Sequence, residues 1–203
     1  ARSGLLPSPE WKRAVRGEQW YPGDTVNIGI GQGDMLVTPL QLASAVTVIA
    51  NRGRFIAPRL LLEGADVPEP REQVGNVTSI PREHWETVIG GMENVIHRGN
   101  MGFGENGTAW AYIGQDIAYR MAGKSGTAQV VGIKQGEEYD EELLDERQRK
   151  HAWFVAFAPV EAPTIALAVL VENGGGGSAV ASPVARAVLD HYLLDDAPGI
   201  AGR

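Results

Sequence analysis

The densest group of chemically useful residues is Gly123-Lys124-Ser125-Gly126-Thr127-Ala128. It sets a cation, two hydroxyls and a bare backbone position side by side. On a strand, side chains alternate between faces, so Ser125 and Thr127 share one face and Lys124 takes the other. Gly126 carries no side chain, so an extended substrate backbone could lie along the edge there. A main-chain N–H aimed at a reacting carbonyl oxygen stabilises the charge that develops on it. These residues suit acyl chemistry on an extended substrate. Lys-Ser-Gly is also a plain surface turn, and the six residues alone leave that alternative open.

Other candidate groups are weaker. Gly29, Gly31 and Gly33 precede a predicted helix, as in a phosphate cradle. That chemistry needs a strand, a tight turn and helix N-terminal amides, in G-x-G-x-x-G spacing with an acid about 20 residues on. The spacing here is G-x-G-x-G, and Arg52 and Arg54 stand where the acid belongs. A turn needing positive φ is the better reading. His84, His97, His151 and His191 are scattered, with no H-x-x-x-H pair, and no metal site is expected. The acidic run Glu137-Glu138-Tyr139-Asp140-Glu141-Glu142 lacks calcium-loop spacing and reads as a solvated loop.

The elements that must position the Lys124 group are legible in part. Residues 1–37 read as irregular, broken by Pro7, Pro9, Pro22 and six glycines, with Trp11, Trp20 and Tyr21 as packing points. A helix is predicted over 39–51, with Thr38 as N-cap and Pro39 at its first position. Leu40, Leu42, Ala43, Ala45, Val46, Val48, Ile49 and Ala50 are apolar on nearly every side, the pattern of a buried helix. Residues 54–79 read as short strands and turns.

A second helix opens near Pro81, with a one-faced stripe of Trp85, Val88, Ile89, Met92 and Ile96, and Gly99 stops it. Strands are predicted at 122–131, 151–160 and 164–172, the last two joined by a hairpin at Glu161-Ala162-Pro163. The run Ile165–Val171 shows no alternation, which suggests cover on both faces. Gly174 to Gly177 then release the chain into a final helix ending near Leu194. If the three strands are antiparallel neighbours, loop 132–150 and the glycine run lie at one end of the sheet and would rim a site there.

Composition narrows the function. The 203 residues carry 18 basic and 25 acidic side chains, a net charge of −7. No basic field exists to draw phosphates, so no nucleic-acid partner is expected. With no cysteine, disulfides, thiolate catalysis and cysteine zinc sites are excluded. No run approaches the ~18 apolar residues of a membrane helix. Ample apolar sequence remains for a core.

Context sharpens the reading of Lys124. Penicillin-interacting serine enzymes carry a K-[ST]-G tripeptide on a strand beside the active site. The segments Gly29–Gly33 with Thr38-Pro39-Leu40-Gln41-Leu42-Ala43, then Ala122–Gln129, then His151-Ala-Trp-Phe-Val-Ala-Phe-Ala-Pro159, keep the order and approximate spacing of class B penicillin-binding proteins. Trp20-Tyr21-x-Gly23-Asp24-Thr25 and Leu5-Pro7-x-x-x-Trp11-Lys12 extend the match. The chain resembles that family, in its elongation-specific peptidoglycan DD-transpeptidase branch, from residue 3 to about 194.

The resemblance implies an α/β fold of the α+β kind, with an antiparallel sheet packed between helices, within one transpeptidase domain. It implies that Lys124 supplies positive charge for the carboxylate of the donor stem peptide. Ser125 and Thr127 would hydrogen-bond that carboxylate, Gly126 would leave room for the substrate, and the Thr127 amide would form half of the oxyanion hole. Lys124 and Thr127 are thus the expected catalytic residues, with no metal and no cofactor. The implied partners are the peptidoglycan stem peptide, β-lactam antibiotics, and a membrane glycan polymerase with its elongation complex, at the periplasmic face of the bacterial inner membrane.

Two of the family's three motifs do not occur. None of the seven serines (3, 8, 44, 79, 125, 178, 182) begins S-x-x-K or S-x-N. By family order both motifs belong upstream of Ala1, and the chain is expected to be the C-terminal part of the domain, inactive by itself. A β-lactam sensor or β-lactamase-like hydrolase, and a non-catalytic scaffold, stay as alternatives.

Overall fold

The computed structural model describes residues 3–58, 76–77, 79–102, 104–130 and 144–194. The chain divides into two compact units, Ala1–Leu42 and Ala43–Arg203.

The first unit is more helical than its prolines suggest. Helix α1 spans Pro9–Arg16 and α2 spans Pro22–Gly29, each opening on a proline. Proline at the first helical position loses no hydrogen bond and brings its φ ready-made. Ser8 caps α1, its Oγ accepting the Trp11 N–H at 3.1 Å, and Gly17 closes it with φ 71°. Asp24 accepts the Tyr21 N–H at 2.7 Å at the start of α2. The expectation of an irregular 1–37 is therefore corrected, because residues read as breakers serve as caps.

Lys12 is the fastening of this unit. It is 8% exposed, with Nζ 2.7 Å from Asp24 Oδ2 and 5.0 Å from the Tyr21 ring centre. The side-chain bond to Asp24 raises the Lys12 pKa, and the same bond lowers that of Asp24. Gly31 and Gly33 have φ 75° and 79° and form a turn behind α2. A helix precedes them rather than a strand, as the turn reading expects.

Helix α3 spans Pro39–Ala50, and the unit boundary falls within it. It begins on a reciprocal cap: Gln41 N–H donates to Thr38 Oγ1 at 3.2 Å, and Thr38 N–H to Gln41 Oε1 at 2.9 Å. Burial on all sides is not found. Val46 and Ala50 are buried, but Leu40 is 52% exposed and Ala45 is exposed. One apolar surface covers one stripe of a helix, and the rest of α3 stays half-open.

The second unit is built on a three-stranded antiparallel sheet in the order β1-β2-β3: β1 Ala122–Ala128, β2 His151–Ala158 and β3 Ile165–Val171. Ala152, Phe154, Ala156 and Ala158 pack on one face with Ala181, Ala185, Leu189 and Ile113. These come from the short helix α5 (Trp110–Ile113), a π-helical turn (Gly177–Ala181) and α6 (Ser182–Leu193). Phe157, with Ala122, lies on the other face against Ile89 and Met92 of α4 (Arg82–His97) and Val46 and Ala50 of α3. The sheet is therefore packed between helices, as expected.

The stripe of α4 holds at Trp85, Ile89, Met92 and Ile96, but Val88 is 49% exposed. Every residue of β3 is half-buried rather than covered, because β3 is an outer strand of the sheet among the described residues. Residues 55–58 carry no strand. Most of 54–79 lies outside the described residues, as does the acidic run.

His97, in the last turn of α4, ties that helix to the approach to β1. Its Nε2 lies 3.1 Å from both the nitrogen and the carbonyl oxygen of Met121, which is wholly buried. A neutral ring accepts the N–H or donates to the carbonyl, whereas a protonated ring can only donate. Burial holds the His97 pKa below the ordinary imidazole value, as does the Arg120 charge, against the upward pull of the Met121 backbone and the Glu93 and Glu161 carboxylates. The unfolded chain then binds this proton more readily. The contribution to stability is full above about pH 6.5 and is lost as pH falls through the lower folded value. Urea midpoints taken from about pH 8 to about pH 5 should fall with pH, and less steeply in His97→Gln; equal slopes would clear His97 of the effect.

Candidate functional site

Strand β1 places all four sequence-predicted residues on one outer edge of the sheet. Its register with β2 pairs Lys124 with Val155, Ser125 with Phe154, Gly126 with Trp153 and Thr127 with Ala152. Paired residues share a face. Lys124 and Gly126 therefore lie on the α4 side, and Ser125 and Thr127 on the α6 side. Among the described residues no strand pairs with the far side of β1.

The peptide groups of this edge follow from the glycine that caps it. A Cβ on Gly177 would stand 2.3 Å from the carbonyl oxygens of both Gly126 and Trp153 and 3.0 Å from the Gly126 nitrogen. Oxygens of opposed residues come that close only when the two exchange hydrogen bonds, since otherwise they point apart. Gly126 and Trp153 are such a pair. Peptide directions alternate along a strand, so Ser125 and Thr127 turn their N–H and C=O groups away from β2, toward the outer edge. Consistent with this, the Ser125 carbonyl accepts the Lys124 ammonium at 2.8 Å, with Ser125 Oγ 3.5 Å from the same Nζ.

The edge thus combines an exposed cation, two hydroxyl residues and outward peptide groups within four positions. Chemically it can hold a carboxylate at Lys124 and run antiparallel to an extended chain. Gly126 leaves the α4-side surface open. Among the described residues, a Cβ added there meets only Trp153 Cβ, at 3.4 Å. Among the described residues no group of three or more His, Asp or Glu side chains could hold a metal ion.

Sequence reasoning passed over what holds the edge in place. The run Gly174–Gly177 reads as a release into α6, yet Gly177 is buried on the backbone of β1 and β2. Its letter does not differ from its neighbours, and only the topology marks it. The ends of the two loops at this end of the sheet do meet, with Gly175 N–H donating to the Lys150 carbonyl at 2.9 Å.

The sheet packed between helices and the sequence that builds it match a known family. A family model described as the penicillin-binding protein transpeptidase domain matches residues 5–190, and the chain belongs to that family. It is 40% identical over 200 residues to the peptidoglycan D,D-transpeptidase MrdA of Haemophilus influenzae, covering 96% of this chain and 30% of that protein. The structure of PBP2 from Pseudomonas aeruginosa in complex with WCK 5153 superposes with a TM-score of 0.79 at 43% identity, over 95% of this chain and 37% of that one. A complex of PBP2 and MreC from Helicobacter pylori gives 0.73 at 28% identity, over 95% and 31%. The chain spans about a third of the length of these relatives.

The two glycines should behave oppositely on substitution. Gly177→Ala forces a methyl onto main-chain atoms and is expected to destabilise by about 1–3 kcal/mol. Gly126→Ala meets no backbone and is expected to change stability by less than about 1 kcal/mol. Urea unfolding of the two variants checks the contrast, and equal losses would refute the seating of Gly177 on Gly126.

Proposed function

We propose that this chain is the C-terminal part of a single transpeptidase domain that cross-links peptidoglycan stem peptides during cell-wall elongation. The observation that carries the reading is the Lys124–Thr127 group on the outer edge of β1, in a chain whose relatives are named peptidoglycan D,D-transpeptidases. The family match runs through both compact units, which supports one domain.

In the proposed reaction a serine encoded upstream of Ala1 attacks the carbonyl carbon of the D-Ala-D-Ala bond. The terminal D-Ala leaves as an amine and an acyl-enzyme remains. An amine of a neighbouring strand then attacks the ester, forming the cross-link and returning the serine hydroxyl. Lys124 holds the donor carboxylate by charge and tunes the hydroxyl network, while Ser125 and Thr127 hydrogen-bond that carboxylate. The Thr127 amide is one of two oxyanion donors, and Gly126 admits the substrate backbone. A β-lactam would enter as the donor does and stop at the acyl-enzyme.

The expected setting is the periplasmic face of the inner membrane, beside a glycan polymerase and an elongation complex. The Helicobacter pylori PBP2–MreC complex supports such company for a relative. No helix among the described residues is long and apolar enough to cross a membrane.

The test extends the gene upstream of Ala1 and incubates the product with a penicillin, with the 203-residue chain as control. Intact mass and peptide mapping should find an adduct on an upstream serine and none on the control. Rapid loss of that adduct by hydrolysis would point instead to a β-lactamase-like enzyme. No adduct on either protein would favour a scaffold.

Within the extended protein, Lys124→Ala should slow acylation by about 10²-fold or more without unfolding, since a charged partner of the substrate is lost. Gly126→Ala should also slow acylation, by filling the approach of the donor. Unchanged acylation rates would remove the assigned roles.

A further inference from the structure

We propose that Asn173 and His151 are positioning residues for the outer edge of β1, clipping the segment that leaves β3 to the segment that enters β2. The reaction they would serve rests on the transpeptidase reading; the clip itself rests on geometry alone.

Three hydrogen bonds make the clip. The Asn173 N–H donates to His151 Nδ1 at 2.9 Å, the Asn173 side-chain amide donates to the Arg149 carbonyl at 3.0 Å, and the Gly175 N–H donates to the Lys150 carbonyl at 2.9 Å. Since Nδ1 accepts, the ring proton of His151 sits on Nε2. Asn173 has φ 56°, a left-handed conformation that asparagine tolerates better than most residues. The bonds on either side of it hold that conformation.

Position gives the clip its consequence. His151 is paired with Ala128, the residue after Thr127, so the clip closes the end of the sheet next to the Lys124 group. Four residues beyond Asn173, Gly177 rests on the Gly126–Trp153 pair. A shift of 173–175 would carry Gly177 with it and free the Gly126 backbone to move. Ser125 and Thr127 flank Gly126, so their outward peptide groups would lose their fixed direction. Catalytic groups must be held to fractions of an ångström, and such outlying contacts supply the rigidity.

The test uses the full-length protein and reads amide exchange at Gly126–Ala128 together with the second-order rate of acylation by a penicillin. His151→Ala should raise exchange there and slow acylation, each by about tenfold. His151→Asn puts an amide oxygen near the place of Nδ1 and should restore both to within about twofold. Asn173→Gly suits φ 56° and keeps the backbone donor but loses the bond to Arg149. It should fall between the two, and it carries the test should His151→Ala fail to fold.

Exchange at Phe154 and Ala156, mid-strand in β2, is the control; a merely structural role would raise it equally. Parental exchange and acylation in both His151→Ala and Asn173→Gly would overturn the proposal. So would uniform loosening of the sheet, or a His151→Asn as impaired as His151→Ala. If the unsubstituted protein takes up no penicillin, the transpeptidase reading falls, and the exchange measurements still decide the clip.

Discussion

Strand β2 is the constraint on which the second unit depends. Among the described residues it alone has a strand on each side, and its side chains are buried alternately against two sets of helices. Phe154 and Phe157, both fully buried, point to opposite faces and each anchors one hydrophobic cluster. A one-residue slip of β2 would exchange those faces and force each ring into the cluster shaped for the other. The register of β1 is fixed by the same requirement, and with it the place of Lys124.

Fixing the core leaves the edge of β1 to be settled by smaller contacts. Main-chain atoms at Gly126 are covered by Gly177, and the chain reaches Gly177 through the turn at Asn173. On the opposite face, His97 fastens the approach to β1 through Met121. The polar edge is thus held from both ends and from above, while among the described residues no strand pairs with its outer side. A site that must receive an extended chain along its edge needs rigidity in every direction but one.

Much of this was legible in the sequence, and the failures share a cause. Strands β2 and β3 came from runs of Val, Ile, Phe and Trp cut by Glu161–Pro163. The cap at Thr38 came from its fit with Pro39. Helices α1 and α2 were missed because eight residues are too few to show a 3.6-residue period, and Pro9 and Pro22 read as breaks. Composition also misled at α3 and β3, where all-round hydrophobicity was taken for all-round cover. Hydrophobicity records what a surface favours, whereas cover depends on which neighbours reach it. At the site, Lys124, Ser125, Gly126 and Thr127 were found together because their types are distinctive. Gly177 and Asn173 act through position, which no single letter reveals.

An outer strand with outward peptide groups is also a hazard, because any extended chain can add to it, including another copy of the protein. Most such edges are guarded by charge, and here the charge is Lys124. The residue best placed to greet a carboxylate is the one that repels indiscriminate pairing: an ordinary strand would have to strip its hydration and offer nothing in return. Solubility at this edge then rests on the same residue as the proposed carboxylate contact, and a chain that lost its lysine would gain a tendency to associate with itself.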